Sequence, residues 1–244
     1  MAAGDPYRSA TRGARWHIAA VIGLGLGTLA CGNGSDGDAA PLETSAPATT
    51  ADTSLPSCRD VDRTIVFSVF GAATAGAAGE AATWVDDPDA EPTARPNAAA
   101  IASTYRDAGY QLLYVAMLPS ESLIGDRPVV DAITVWLGLN GFPVGEGARV
   151  WVPEGDGSAD PSVALIEELA LMGAAGTEVD AGYAGDPETV FPLVAGGVPR
   201  DRVYDMGGGD GEVSSDSHVS STPLPDEGLP AHLAEVRALE PICE

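Results

Sequence analysis

The chain has 244 residues, of which 36 are Asp or Glu and 12 are Lys or Arg, giving a formal net charge of −24. That charge argues against nucleic acid as a partner and against electrostatic attraction to anionic lipid. Every basic residue is arginine, so no reaction that needs a Schiff-base or phosphate-binding lysine can run on this chain's own residues.

Arg8, Arg12 and Arg15 precede an apolar run at residues 18–30, IAAVIGLGLGTLA. The run is shorter than the roughly 20 residues of a transmembrane helix and has the form of a signal-peptide core. It ends in Thr28-Leu29-Ala30-Cys31, which resembles a bacterial lipoprotein signal. The resemblance implies removal of residues 1–30, acylation of Cys31, and attachment to a cell membrane or envelope on the extracytoplasmic side. The alternative is an ordinary signal cleaved near Ala30. Residues 31–57 are Gly, Ser, Thr, Ala, Pro and acids with little to bury, and read as a disordered tether.

Residues 58–244 are expected to form one domain. Ile65–Val69 predicts a strand running into a glycine turn. Asn97 is placed to cap a helix over 98–108, with Ile101, Tyr105 and Ala108 on one face and Gly109 at its end. Tyr110–Ala116 predicts a strand. Pro128 opens a helix that turns Val129, Ile133, Trp136 and Leu137 inward. Ala148–Val152 is a strand, and Asp160-Pro161 starts a helix with Leu165, Ile166, Leu169 and Met172 on one side. Val179–Ala184 is a strand, followed by a short helix from Asp186-Pro187 that Pro192 should curtail. Val203–Met206 is the last strand, residues 207–227 a flexible loop, and residues 229–239 a terminal helix. Strands alternating with helices imply a doubly wound, Rossmann-like parallel sheet in a single α/β domain.

With Cys31 assigned to lipid, Cys58 and Cys243 remain, one at each end of the domain. In an exported chain they are expected to form a disulfide.

Several motifs then share one pattern: Thr64–Ala72 (TIVFSVFGA), Gly109-Tyr110, Tyr114–Pro119 (YVAMLP), Thr134-x-Trp136-Leu137, Pro143-x-Gly145, Tyr183–Asp186 (YAGD) and Gly197–Val203 (GVPRDRV). Together they resemble the haloacid-dehalogenase-like (HAD) phosphatases, in the branch that contains the lipin/Ned1/Smp2 (LNS2) domain. The resemblance implies a HAD-type fold with its site at the carboxyl ends of the strands. It also sets Ser68 at the position of the family's nucleophilic aspartate and Phe70 at that of its general acid. Ala116 stands for the phosphate-binding Ser/Thr, Leu118 for an arginine, and Val190 for a late acid. Asp186 alone persists as a possible Mg²⁺ ligand, and it reads first as a helix N-cap before Pro187.

With Ser68, Phe70, Ala116 and Asp186 as vestigial positions, the expected function is a non-catalytic binding or scaffold module without cofactor. The alternative is a phosphoric-ester hydrolase with a rebuilt site, using Ser68 or the acids Asp86, Asp87 and Asp89. Mg²⁺ enters only in that alternative.

Overall fold

A computed structural model describes residues 62–76, 79–155, 157–207, 221–239 and 241–242. The signal, Cys31, the tether, Cys58 and Cys243 lie outside the described residues.

Six strands form one sheet in the order β5-β2-β1-β6-β7-β8, and every neighbouring pair is parallel. The strands are β1 (Arg63–Ser68), β2 (Gln111–Val115), β5 (Ala148–Trp151), β6 (Glu178–Ala184), β7 (Val203–Asp205) and β8 (Thr222–Pro223). From β1 the chain steps outward to β2 and β5, then returns to β6 on the other flank of β1 and continues outward again. The direction of winding therefore reverses between β1 and β6. This is the doubly wound α/β arrangement expected from the alternating pattern.

Side-chain alternation along the strands supplies two cores. Ile65, Phe67, Leu112 and Tyr114 face one layer, which is covered by α1 (Glu80–Asp86), α2 (Ala98–Asp107), α3 (Val129–Leu139) and α6 (Leu229–Arg237). Val66, Leu113 and Val115 face the other, covered by α4 (Pro161–Ala174) and α5 (Pro187–Ala195). Central parallel strands buried on both faces read as continuous apolar runs, which is why β1 and β2 were plain in the sequence.

Four expectations are corrected. Asn97 does not cap α2 with its side chain; it sits just before the helix in the left-handed region, at φ +66°. Pro192 lies inside α5, which continues to Ala195; the helix runs on although the proline gives up the bond that an N–H there would make to the Glu188 carbonyl. Thr222–Pro223, within the expected flexible loop, pairs with β7 as an edge strand. A small antiparallel ribbon of β3 (Leu123–Ile124) and β4 (Arg127–Pro128) precedes α3 and was not anticipated.

Candidate functional site

Parallel sheets present their ligand crevice at the carboxyl ends of the strands, where the winding reverses. That place is the junction of β1 and β6. After Ser68 the chain enters a wound turn, Val69–Ala73, closed by the Thr74 N–H donating to the Val69 carbonyl at 3.0 Å. Within it Gly71 adopts φ +85° and donates its N–H to Thr74 Oγ1 at 2.9 Å. Gly71 lies directly against Gly185, the residue after β6. A Cβ built on Gly185 would sit 2.0 Å from the Gly71 carbonyl carbon, and one on Gly71 would sit 2.7 Å from the Gly185 Cα. Backbone meets backbone here, and only glycine at both positions permits it.

That contact brings Ser68 and Asp186 to one pocket of about 330 Å³, lined also by Phe70, Met117, Glu188 and Thr189. Ser68 is almost fully buried, and its hydroxyl donates to the Phe70 carbonyl at 2.7 Å. Phe70 meets Trp84 edge-on, with ring centroids 6.3 Å apart. Asp186 caps α5. One carboxylate oxygen accepts from the Thr189 N–H at 2.7 Å and the other from the Thr189 hydroxyl at 2.9 Å. The cap reading of this residue is therefore realised, and the same side chain also borders the pocket. Glu188 is exposed at the rim.

The remaining sequence candidates lie elsewhere. Ala116 is fully buried in the core and does not line the pocket, where its neighbour Met117 stands instead. Leu118 and Val190 are core residues. Asp86, Asp87 and Asp89 are exposed at and beyond the end of α1 and do not line the pocket. Sequence reasoning missed Met117, Glu188 and Thr189. The last two were legible as the first turn of a helix whose cap, Asp186, had been singled out.

A second omission is Arg95. Its buried guanidinium donates to the Gly71 carbonyl at 2.7 Å and the Thr74 carbonyl at 3.1 Å, and pairs with Asp226. It clamps the loop after β1 from behind without lining the pocket. Nearby, Tyr105, Tyr183 and His232 form a buried chain, with 3.0 Å between the two hydroxyls and 2.7 Å from Tyr183 to His232 Nε2. Burial, with the neighbouring phenols adding to it, pushes the Tyr183 hydroxyl well up, and burial pushes that of Tyr105 up to about 12. These phenols stay protonated and act as fixed dipoles.

Mg²⁺ demands near-octahedral oxygen coordination, and carboxylates usually supply its protein ligands. Among the described residues no group of three or more His, Cys, Asp or Glu converges to hold a metal. Both Asp186 oxygens are engaged by Thr189, and the position expected of a second late acid holds the buried Val190. The donor set does not fit Mg²⁺.

No family model matches the chain, and no curated protein does. Solved structures do resemble its fold. One is D,D-heptose 1,7-bisphosphate phosphatase from B. bronchiseptica complexed with magnesium and phosphate, at TM-score 0.48 and 12% identity over 71% of this chain and 97% of that one. A second is described as a HAD-like phosphatase from Mesorhizobium loti, at TM-score 0.46 and 16% identity over 74% and 88%. At these identities the likeness is one of fold. The expectation of an inactive domain is nonetheless corrected. The heptose bisphosphate and Mesorhizobium structures are described as phosphatases, and the pocket of this chain is lined by a hydroxyl residue and a carboxylate residue, Ser68 and Asp186.

Proposed function

We propose that the domain is a HAD-like phosphoric-ester hydrolase with a rebuilt site, related to the LNS2 branch. The observation that carries this reading is that Ser68 and Asp186 line one pocket at the strand ends. Ser68 Oγ attacks phosphorus as its proton passes to Asp186. The phosphorus–oxygen bond to the alcohol breaks, and the alcohol leaves with that proton. Water then cleaves the phosphoserine, restoring the serine and releasing the phosphoric acid. Thr189 holds the Asp186 carboxylate in place for this role through both of its bonds.

The test is hydrolysis of an aryl phosphate and an aryl phosphodiester by the purified protein, by Ser68→Ala and by Asp186→Asn. Asn keeps the helix cap while removing the base. Loss of about 100-fold or more in each variant is expected for a nucleophile and its base. Absence of turnover, or turnover indifferent to Ser68→Ala, overturns the reading.

We propose further that the protein is exported and held at a membrane by acylation of Cys31, with residues 31–57 as the tether. The basic region, the short apolar run and the small residue before the cysteine support it. A Cys58–Cys243 disulfide is proposed on the same ground of compartment. It is supported by where the two ends of the domain enter the fold. Glu178 N–H donates to the Asp62 carbonyl at 2.9 Å and Ile242 N–H to the Ala108 carbonyl at 2.9 Å, both at the amino-terminal edge of the sheet.

A further inference from the structure

A phosphoryl group is favoured by positive charge, and the side chains lining the pocket offer none. Its two hydroxyls and two of its backbone N–H groups are already engaged. Ser68 donates to the Phe70 carbonyl, Gly71 N–H to Thr74 Oγ1, and Thr189 N–H and hydroxyl to Asp186. The amino end of α5, where an anion would otherwise be favoured, carries the Asp186 carboxylate with Glu188 two residues on. Both acids line the pocket, and none of its lining residues is a lysine, arginine or histidine. Arg95, the nearest buried cation described above, spends its guanidinium on two carbonyls and Asp226. A dianionic phosphomonoester would enter against two like charges in a half-enclosed site, where charges are screened less than in water.

Resting on the hydrolase reading above, we infer that the substrate brings its own cation: a phosphoric ester whose alcohol carries an ammonium or quaternary ammonium group. The pocket's lining supplies Glu188 for the positive group and the large apolar side chains of Phe70 and Met117 for the carbon around it. A methylated ammonium suits a carboxylate next to an aromatic ring better than water-loving inorganic phosphate does. Glu188 is then the residue that sets specificity.

The experiment compares binding of choline, of its neutral carbon isostere 3,3-dimethyl-1-butanol, and of inorganic phosphate to the purified protein by titration calorimetry at low salt. Choline is expected to bind at least tenfold more tightly than the isostere and more tightly than phosphate. In Glu188→Gln, an exposed position with little bearing on folding, the preference should fall at least threefold while the isostere binds unchanged. Absence of choline binding, equal binding of the two alcohols, or a preference unmoved by Glu188→Gln overturns the inference. The two readings fail separately. Choline preference without ester turnover removes the hydrolase and leaves the cation site. Faster turnover of a dianionic aryl phosphate than of its choline diester removes the cation site and leaves the hydrolase.

Discussion

Arg95→Ala is the substitution whose cost the structure sets most directly. The side chain is 4% exposed, and it spans two segments of the chain. Truncation strips a partner from the Gly71 and Thr74 carbonyls, at about 1–3 kcal/mol for each buried group left unsatisfied. Asp226 is 57% exposed, so its share of the ion pair is worth only about 0–1 kcal/mol. Water entering the vacated space will satisfy part of the loss, which brings the expected total to about 2–5 kcal/mol. The domain remains folded if its stability lies within the usual ~5–15 kcal/mol. Urea unfolding is the assay, and with a slope of about 2 kcal/mol/M the midpoint should fall by roughly 1–2.5 M. Asp226→Asn keeps an acceptor for the guanidinium and should cost about 1 kcal/mol or less. A cost below about 1 kcal/mol for Arg95→Ala, or equal costs for the two variants, would show that the carbonyl clamp is not what the arginine contributes. Gly71 lies between Ser68 and Thr74, so the same substitution should loosen Phe70 and change the fluorescence of Trp84.

Gly185→Ala drives a methyl into the Gly71 backbone and should destabilise by about 3 kcal/mol or more, whereas Gly141→Ala, with φ +79° but open space around it, should cost only about 1 kcal/mol of strain; thermal melts of the pair separate collision from conformation. Burial lowers the pKa of His232, against the opposing hydrogen bond and charge of Glu235. The folded protein therefore binds this proton less readily than the unfolded chain, so its contribution to stability is present above the unfolded value near 6.5 and is lost as pH falls through the lower folded value. A His232→Gln variant should flatten the slope of stability against pH in that window, and an unchanged slope would exclude His232 as its source. Thiol labelling of the denatured, unreduced protein should find neither Cys58 nor Cys243 free, and two labelled cysteines would dismiss the bridge. Cys31→Ser should abolish acylation and release the protein from membranes, and retention at the membrane would refute the anchor.

The main strands and helices were legible because burial imposes a period. Val129, Ile133, Trp136 and Leu137 mark one face of α3, and Leu165 and Leu169 one face of α4. Elements that bury little leave little trace. α1 buries only Trp84 fully, and the two-residue strands β3, β4 and β8 are too short to show alternation. Arg95 was unreadable for a different reason. A charged residue looks like surface in any sequence, and what fixes it inside is a pair of backbone carbonyls, which no side-chain pattern records. The Tyr105–Tyr183–His232 chain escaped likewise, since its members come from α2, β6 and α6 and meet only once the sheet is built.

The two glycines carry the argument about the site further than its acids do. Gly71 and Gly185 are required by contact between the ends of β1 and β6, whatever chemistry sits beside them. The same contact would hold an aspartate at position 68 in the place where Ser68 now stands. The frame therefore fixes which side chains share the pocket, while those at 68, 70, 186 and 188 set its chemistry. Ser68 and Phe70 bring no charge to the pocket, and Asp186 and Glu188 bring negative charge. The sign of charge that the pocket accepts is for this reason a more direct reading of its function than the survival of any one catalytic residue.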